Sequence, residues 1–143
     1  MFLGSYKHNI DGKGRLTIPA KFRAELAQGL VITQGIEPCL VVYPMSEWTK
    51  LAGNINSLPF TQKEARDLRR LVFARANDTT PDRQGRVLVP TPLREYARLE
   101  LDSDVIIAGM YSYLEIWNPQ LWKEMRENLE ENIYPEQWAN LGV

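Results

Sequence analysis

Short alternations of apolar and polar residues dominate the chain, and they are punctuated by glycine and proline. Tyr6 to Ile10 reads as a short strand that runs into a tight Gly-containing turn. After the turn, Arg15 and Thr17 fall on one face of a second strand and Leu16 and Ile18 on the other, until Pro19 ends it. A short helix, Ala20–Leu26, comes next, then two apolar strands, Leu30–Thr33 and Leu40–Tyr43, joined by a turn at Gly35-Ile36-Glu37-Pro38. The same succession then recurs. Pro90 ends a strand, a helix is predicted over Pro92–Leu99, and strands over Val105–Ala108 and Tyr113–Trp117 precede a helix with Asn118 as N-cap and Pro119 at its first position.

The recurrence is a true internal repeat. At an offset of 71, Asp11-Gly12-Lys13-Gly14-Arg15-Leu16-Thr17-Ile18-Pro19 lies over Asp82-Arg83-Gln84-Gly85-Arg86-Val87-Leu88-Val89-Pro90, and Arg23 meets Arg94. Beyond that the offset becomes 74, with Gly35 over Gly109, Leu40 over Leu114, Tyr43 over Trp117 and Trp48 over Trp122. The chain therefore divides into a first unit at 5–48, a helical linker at 49–75, a second unit at 76–122 and an acidic C-terminal helical segment at 123–143. Units this small cannot bury both faces of their strands alone. The expected architecture is mainly β with peripheral helices (α+β), the two units closing over one another as one pseudo-symmetric core.

In the linker, Thr61-Gln62-Lys63-Glu64 fits a capping box, followed by an apolar stripe of Ala65, Leu68, Leu71, Val72 and Ala76. Arg66, Arg69, Arg70 and Arg75 lie mostly on other faces, and a solvated helix face is favoured for them over a phosphate-binding one. Over Leu121–Ile133, Leu121, Trp122, Met125 and Leu129 recur at helical spacing, the pattern of a core or subunit contact.

Composition removes several function classes. The 143 residues are 44% hydrophobic and 24% charged, ordinary globular usage. A single cysteine, Cys39, precludes an internal disulfide framework, and with one histidine, His8, it argues against most metal-ligand clusters. Gly12-x-Gly14 leads into a strand, the wrong context for a phosphate-cradling helix, so neither a nucleotide fold nor an enzyme is expected, and no cofactor is called for. The absence of a long apolar run or a signal-peptide pattern predicts a soluble, cytoplasmic protein. The net charge of −1 conceals an asymmetry. Residues 1–98 carry 15 Lys and Arg against 9 Asp and Glu, and residues 99–143 carry 2 against 9. One basic face and an acidic portion elsewhere hint at nucleic acid.

The sharpest motif is Asp-x-x-Gly-Arg, present twice. Gly14 and Gly85 permit positive φ and a close backbone approach, and Asp11 and Asp82 can brace the turns. Lys7, His8, Lys13, Arg15, Lys21 and Arg23 cluster within one short stretch, opposed in sequence only by Asp11. Arginine's planar fork suits phosphate and guanine edges. An intraloop ion pair that merely holds a hairpin is the competing explanation of each loop.

These residues, with the opening Met1-Phe2-Leu3-Gly4, His8-Asn9-Ile10-Asp11, Ala20-Lys21-Phe22-Arg23, Cys39-Leu40-Val41-Val42-Tyr43-Pro44 and Leu114-Glu115-Ile116-Trp117, resemble the MraZ family of bacterial transcriptional regulators. The resemblance covers nearly the whole chain and is weakest over 49–75 and 123–143. It implies two tandem SpoVT-AbrB-like units in a swapped-hairpin β-barrel, ring-shaped homo-oligomers, and a nucleoid-associated protein. Such a protein would bind direct repeats in the promoter of its own cell-wall and division gene cluster, usually as a repressor. It also implies Arg15, with Lys13 beside it and Arg86 in the second unit, as the DNA-contacting residues, oriented by Asp11 and Asp82. Arg83-Gln84 stands where the first loop has Gly12-Lys13, and Thr91-Pro92 where it has Ala20-Lys21, so the first unit is expected to dominate binding. A non-DNA scaffold built on the same barrel is the alternative.

Overall fold

Cross-pairing between the repeats builds the sheet. In the computed structural model, which describes residues 1–132 and 134–142, the strands are β1 (Ser5–Ile10), β2 (Arg15–Thr17), β3 (Leu30–Gln34), β4 (Leu40–Pro44), β5 (Asn77–Thr79), β6 (Arg86–Leu88), β7 (Ser103–Gly109) and β8 (Leu114–Trp117). They form one eight-stranded sheet in the order β5-β3-β4-β8-β7-β1-β2-β6, a nearly closed antiparallel barrel. Four of the neighbouring pairs, β1 with β7, β3 with β5, β4 with β8 and β2 with β6, join strands of different repeats. Hydrophobic residues of both repeats fill one core, including Ile10, Leu16, Ile32, Val87, Ile107 and Ile116.

The two edges of the sheet are β5 and β6, and β5 is the shorter counterpart of β1: Asp82 N still donates to Arg86 O at 3.0 Å, as Asp11 N does to Arg15 O between β1 and β2. In the first repeat β1 keeps its ladder with β7 through Ile10 and touches β2 at Ile10 and Leu16. The repeat partner of Ile10 is Pro81, which has no N–H to donate toward β3, and β5 stops at Thr79.

Strand pairing revises one sequence equivalence. Gln34 faces Leu40 in the first hairpin and Gly109 faces Leu114 in the second, so Gly109 corresponds to Gln34 and not to Gly35. The counterpart of Gly35 is Met110: both donate their N–H across the turn at 2.8 Å, to Cys39 O and Tyr113 O. The second loop is one residue shorter. Gly109 has its own reason to be small, because a Cβ there would lie 2.5 Å from Leu3 N. The N-terminal segment crosses at that point and sends fully buried Phe2 into the core, edge-on to Phe22 at 5.3 Å.

The helices are α1 (Arg23–Leu26, preceded by a 3-10 turn at Ala20–Phe22), α2 (Met45–Asn56), α3 (Lys63–Val72), α4 (Thr91–Tyr96), α5 (Pro119–Glu131) and α6 (Pro135–Asn140). Asn118 caps α5 as its sequence predicts, accepting from Gln120 N at 2.8 Å and Leu121 N at 3.1 Å. The capping box expected at Thr61 does not form: α3 starts one residue later, behind Gln62, with no side-chain cap. Its arginines are engaged locally. Arg66 donates to the carbonyls of Phe60 and Thr61, Arg69 to those of Asn56 and Leu58, and Arg70 pairs with Asp67. Within the C-terminal stripe, Ile133 lies outside the described residues. No helix among the described residues is long and apolar enough to cross a membrane.

Candidate nucleic-acid interface

The β2–β6 ribbon places both signature arginines on one surface. Arg15 faces Leu88, Leu16 faces Val87 and Thr17 faces Arg86. Side chains alternate along a strand, so Leu16 and Val87 point into the core while Arg15, Thr17, Arg86 and Leu88 share the outer face. Arg15 and Arg86 are diagonal neighbours, about 7–8 Å apart at the backbone. Leu88 is 55% exposed among them, an apolar residue on the candidate surface that the charge-based reading passes over.

The two loops are built alike. Asp11 Oδ1 accepts the backbone N–H of Lys13 and of Arg15, each at 2.9 Å, and its Oδ2 accepts Arg15 Nε at 2.7 Å. Asp82 repeats this with Gln84 N, Arg86 N and Arg86 Nε, all at 2.9 Å. Gly14 at φ +80° and Gly85 at φ +74° close the turns in the left-handed region. The Arg15 backbone N–H is the chief cause that holds the Asp11 carboxyl down to about 2, and the Arg86 N–H likewise lowers Asp82. A carboxylate depressed in this way braces its loop above its ordinary value of 3.8 and releases it only as pH falls toward 2. The loops are therefore ionised and closed at neutral pH.

This geometry reconciles the two explanations of the motif. Each aspartate takes the Nε edge of its arginine, and the structure shows no hydrogen bond to either Nη group of Arg15 or Arg86 among the described residues. The brace orients the fork and leaves its outer edge for a partner. With side chains 33% and 29% exposed, Arg15 and Arg86 are held at the surface without being free to sweep it.

The other basic residues are placed less uniformly. Lys13 and Arg83 are exposed at the two loop tips. Lys7 pairs with Asp104 at 3.3 Å, because the β1–β7 register brings the start of β7 alongside it. Lys21 donates to Tyr6 Oη at 2.7 Å and lies over that ring. Arg23 turns inward: its Nε donates to Ile18 O at 3.0 Å and its guanidinium passes beneath Gly85. His8 beside it is lowered by burial and by Arg23's charge, and so is neutral at physiological pH. Arg94, the repeat partner of Arg23, lies below Gly14 with Nη2 donating to Thr91 Oγ1 at 3.0 Å, but its buried Nε has no acceptor among the described residues where Arg23 Nε has Ile18 O. Each loop thus rests on an arginine of the opposite repeat, and backbone bonds from Ile18 N to Gly85 O and Val89 N to Gly14 O, both 2.8 Å, lock the exchange. The sequence alignment of Arg23 with Arg94 carried the signal for this second supporting residue.

Gly85→Ala is expected to cost more stability than Gly14→Ala. Both incur about 1–2 kcal/mol for a Cβ in the left-handed region. At Gly85 the methyl also overlaps the Arg23 guanidinium and breaks its bond to Ile18 O, whereas at Gly14 the nearest atom is Arg94 Nε at 3.4 Å. Thermal unfolding should show the difference, which should vanish when both are compared in an Arg23→Ala background.

The chain has counterparts among known proteins. Residues 1–71 and 72–139 each match the model of a family described as "MraZ protein, putative antitoxin-like". The chain belongs to the MraZ family. Its relatives include proteins called transcriptional regulator MraZ from Herpetosiphon aurantiacus, 49% identical over 92% of this chain and 90% of that one, and from Roseiflexus sp. strain RS-1, 48% identical over 99% of both. A third, from Halothermothrix orenii, is 47% identical over 92% of this chain and 91% of its own. The MraZ match extends over both repeats and over the linker and the C-terminal helices, where the sequence motifs were weakest.

Proposed function

We propose that this chain is a sequence-specific DNA-binding transcriptional regulator that acts by binding and not by catalysis. The observation that carries the reading is the matched pair of Asp-braced arginines on one exposed ribbon face. A two-stranded β-ribbon fits the major groove of B-DNA, and a preoriented arginine fork suits guanine O6 and N7 or a phosphate. Lys13 and Arg83 at the loop tips, with Lys7 and Lys21 at the flanks, supply phosphate contacts. Arg23 supports the second loop from below. Asp11, Asp82, Gly14 and Gly85 fix the loop shape. The names of its relatives support regulation of transcription.

The finer reading is a repressor of its own cell-wall and division gene cluster, nucleoid-associated in the cytoplasm, that binds short direct promoter repeats as a ring-like homo-oligomer. One ribbon offers few base contacts, so affinity has to come from several copies engaging one DNA. Direct repeats about 10–10.5 bp apart present successive sites on one face of the duplex.

The test is an anisotropy titration of the protein's own upstream DNA against a scrambled duplex, at about 50 and 200 mM salt. Preference for the upstream DNA, with affinity falling steeply between the two salts, is the expected result. Equal and salt-insensitive binding to both duplexes would leave the loops as braces and favour a scaffold.

A further inference from the structure

The two halves of the barrel carry helical arms at matching positions, and only one arm is covered. α2 follows β4 and α5 follows β8, each rooted by a tryptophan: Trp48 lies 6.1 Å from the Tyr43 ring, and Trp122 lies 5.9 Å from Trp117. The first arm folds back. Ala65 of α3 is buried, and Thr33 Oγ1 donates to Val72 O at 3.0 Å. The second arm does not, and neither α5 nor α6 has a buried residue among those described. Leu129, Trp138 and Leu141 are 53%, 55% and 80% exposed.

The first arm carries a surface suited to receive them. Phe60 and Leu71 are 72% and 53% exposed, with Leu68 beside Leu71 on the helix. Charge distinguishes the two surfaces. Residues 61–75 hold five Lys and Arg against two Asp and Glu, a net +3, whereas residues 119–142 hold two against five, a net −3. The first arm rests on β3 and β4 and the second on β7, with β8 between them in the sheet. Each apolar surface is costly in water, and opposite charge makes each the better partner for the other.

We propose that the acidic α5–α6 arm of one copy docks on the basic α3 surface of a second copy, with Trp138 and Leu141 packing against Phe60 and Leu71. The surfaces differ, so the contact is head to tail and leaves one free arm at one end and one free α3 surface at the other to extend the assembly. The proposal rests on the homo-oligomer part of the function proposed above and names the surfaces that form it.

Sedimentation of the full-length chain tests it with two variants at exposed positions, an arm variant (Trp138→Ser with Leu141→Ser) and a face variant (Arg70→Glu with Leu71→Ser). Circular dichroism checks that the barrel persists, and single Trp138→Ala and Arg70→Ala changes replace either variant that fails to fold. Each variant is expected to self-associate at least tenfold more weakly than wild type. An equal mixture of the two is expected to give a heterodimer and nothing larger, since one intact arm meets one intact face. Variants that assemble like wild type, or a mixture that stays monomeric or rebuilds the full assembly, overturn the docking and leave the oligomer reading standing. A monomeric wild type overturns both.

Discussion

Arg15→Ala is expected to abolish discrimination between upstream and scrambled DNA while leaving the fold in place. One well-formed arginine contact to a base is worth about 1–3 kcal/mol, roughly 5- to 150-fold per engaged copy, and the factors multiply when several copies share one DNA. The stability change should be small, because the pair it breaks with Asp11 is solvated. Arg15→Lys separates charge from geometry. It retains a cation and should preserve most of the salt dependence. It has no Nε to meet Asp11 Oδ2 and no fork to present, so discrimination should still be lost. A lysine variant that still discriminates would show that the loop reads phosphate alone. Arg86→Ala should cause a loss of similar size, since the Asp82 brace repeats the Asp11 brace bond for bond.

This expectation of near-equality differs from the first-unit dominance expected from sequence, and the fold supplies the reason. Lys7 is unopposed along the chain, but Asp104 arrives beside it from ninety-odd residues away through the β1–β7 register. Asp102 from the same strand region lies against Gly12, where a Cβ would sit 3.1 Å from its carboxylate. The first loop therefore has acidic neighbours that no local reading could count. The motifs, the strand alternation and the repeat were legible because they depend on short-range periodicity and on identical residues at fixed spacing. Cross-pairing was not, since a strand pattern reveals which face is buried and not which strand lies beside it. Arg23 shows the consequence. Its sequence neighbours suggest a phosphate-facing cation, and the exchange of strands turns it into the floor of the other repeat's loop. The capping box expected at Thr61 is likewise absent: the helix begins at Lys63, while Arg66 and Arg69 satisfy the carbonyls of the preceding turn.

The largest stability effect is expected at the N-terminal segment. Phe2 is fully buried and meets Phe22 edge-on, so Phe2→Ala should cost about 3–5 kcal/mol through lost contacts and a cavity. Its backbone exchanges two 2.8 Å bonds with Tyr111, and Gly109 N donates to Gly4 O at 2.8 Å, which pins the segment across the barrel end. Gly109→Ala attacks the same anchorage from the other side. Its Cβ would meet Leu3 N and Phe2 C at 2.5 Å, and these are backbone atoms that cannot swing aside as a side chain can. The segment must lift, and Phe2 leaves the core with it. Each single change should lower Tm by about 10 °C or more for a chain of this size. The double variant should be only slightly less stable than the worse single one, because once the segment has lifted the second substitution has little left to remove. Additive losses would show instead that Phe2 holds its place without Gly109, and that the glycine serves only the turn between β7 and β8.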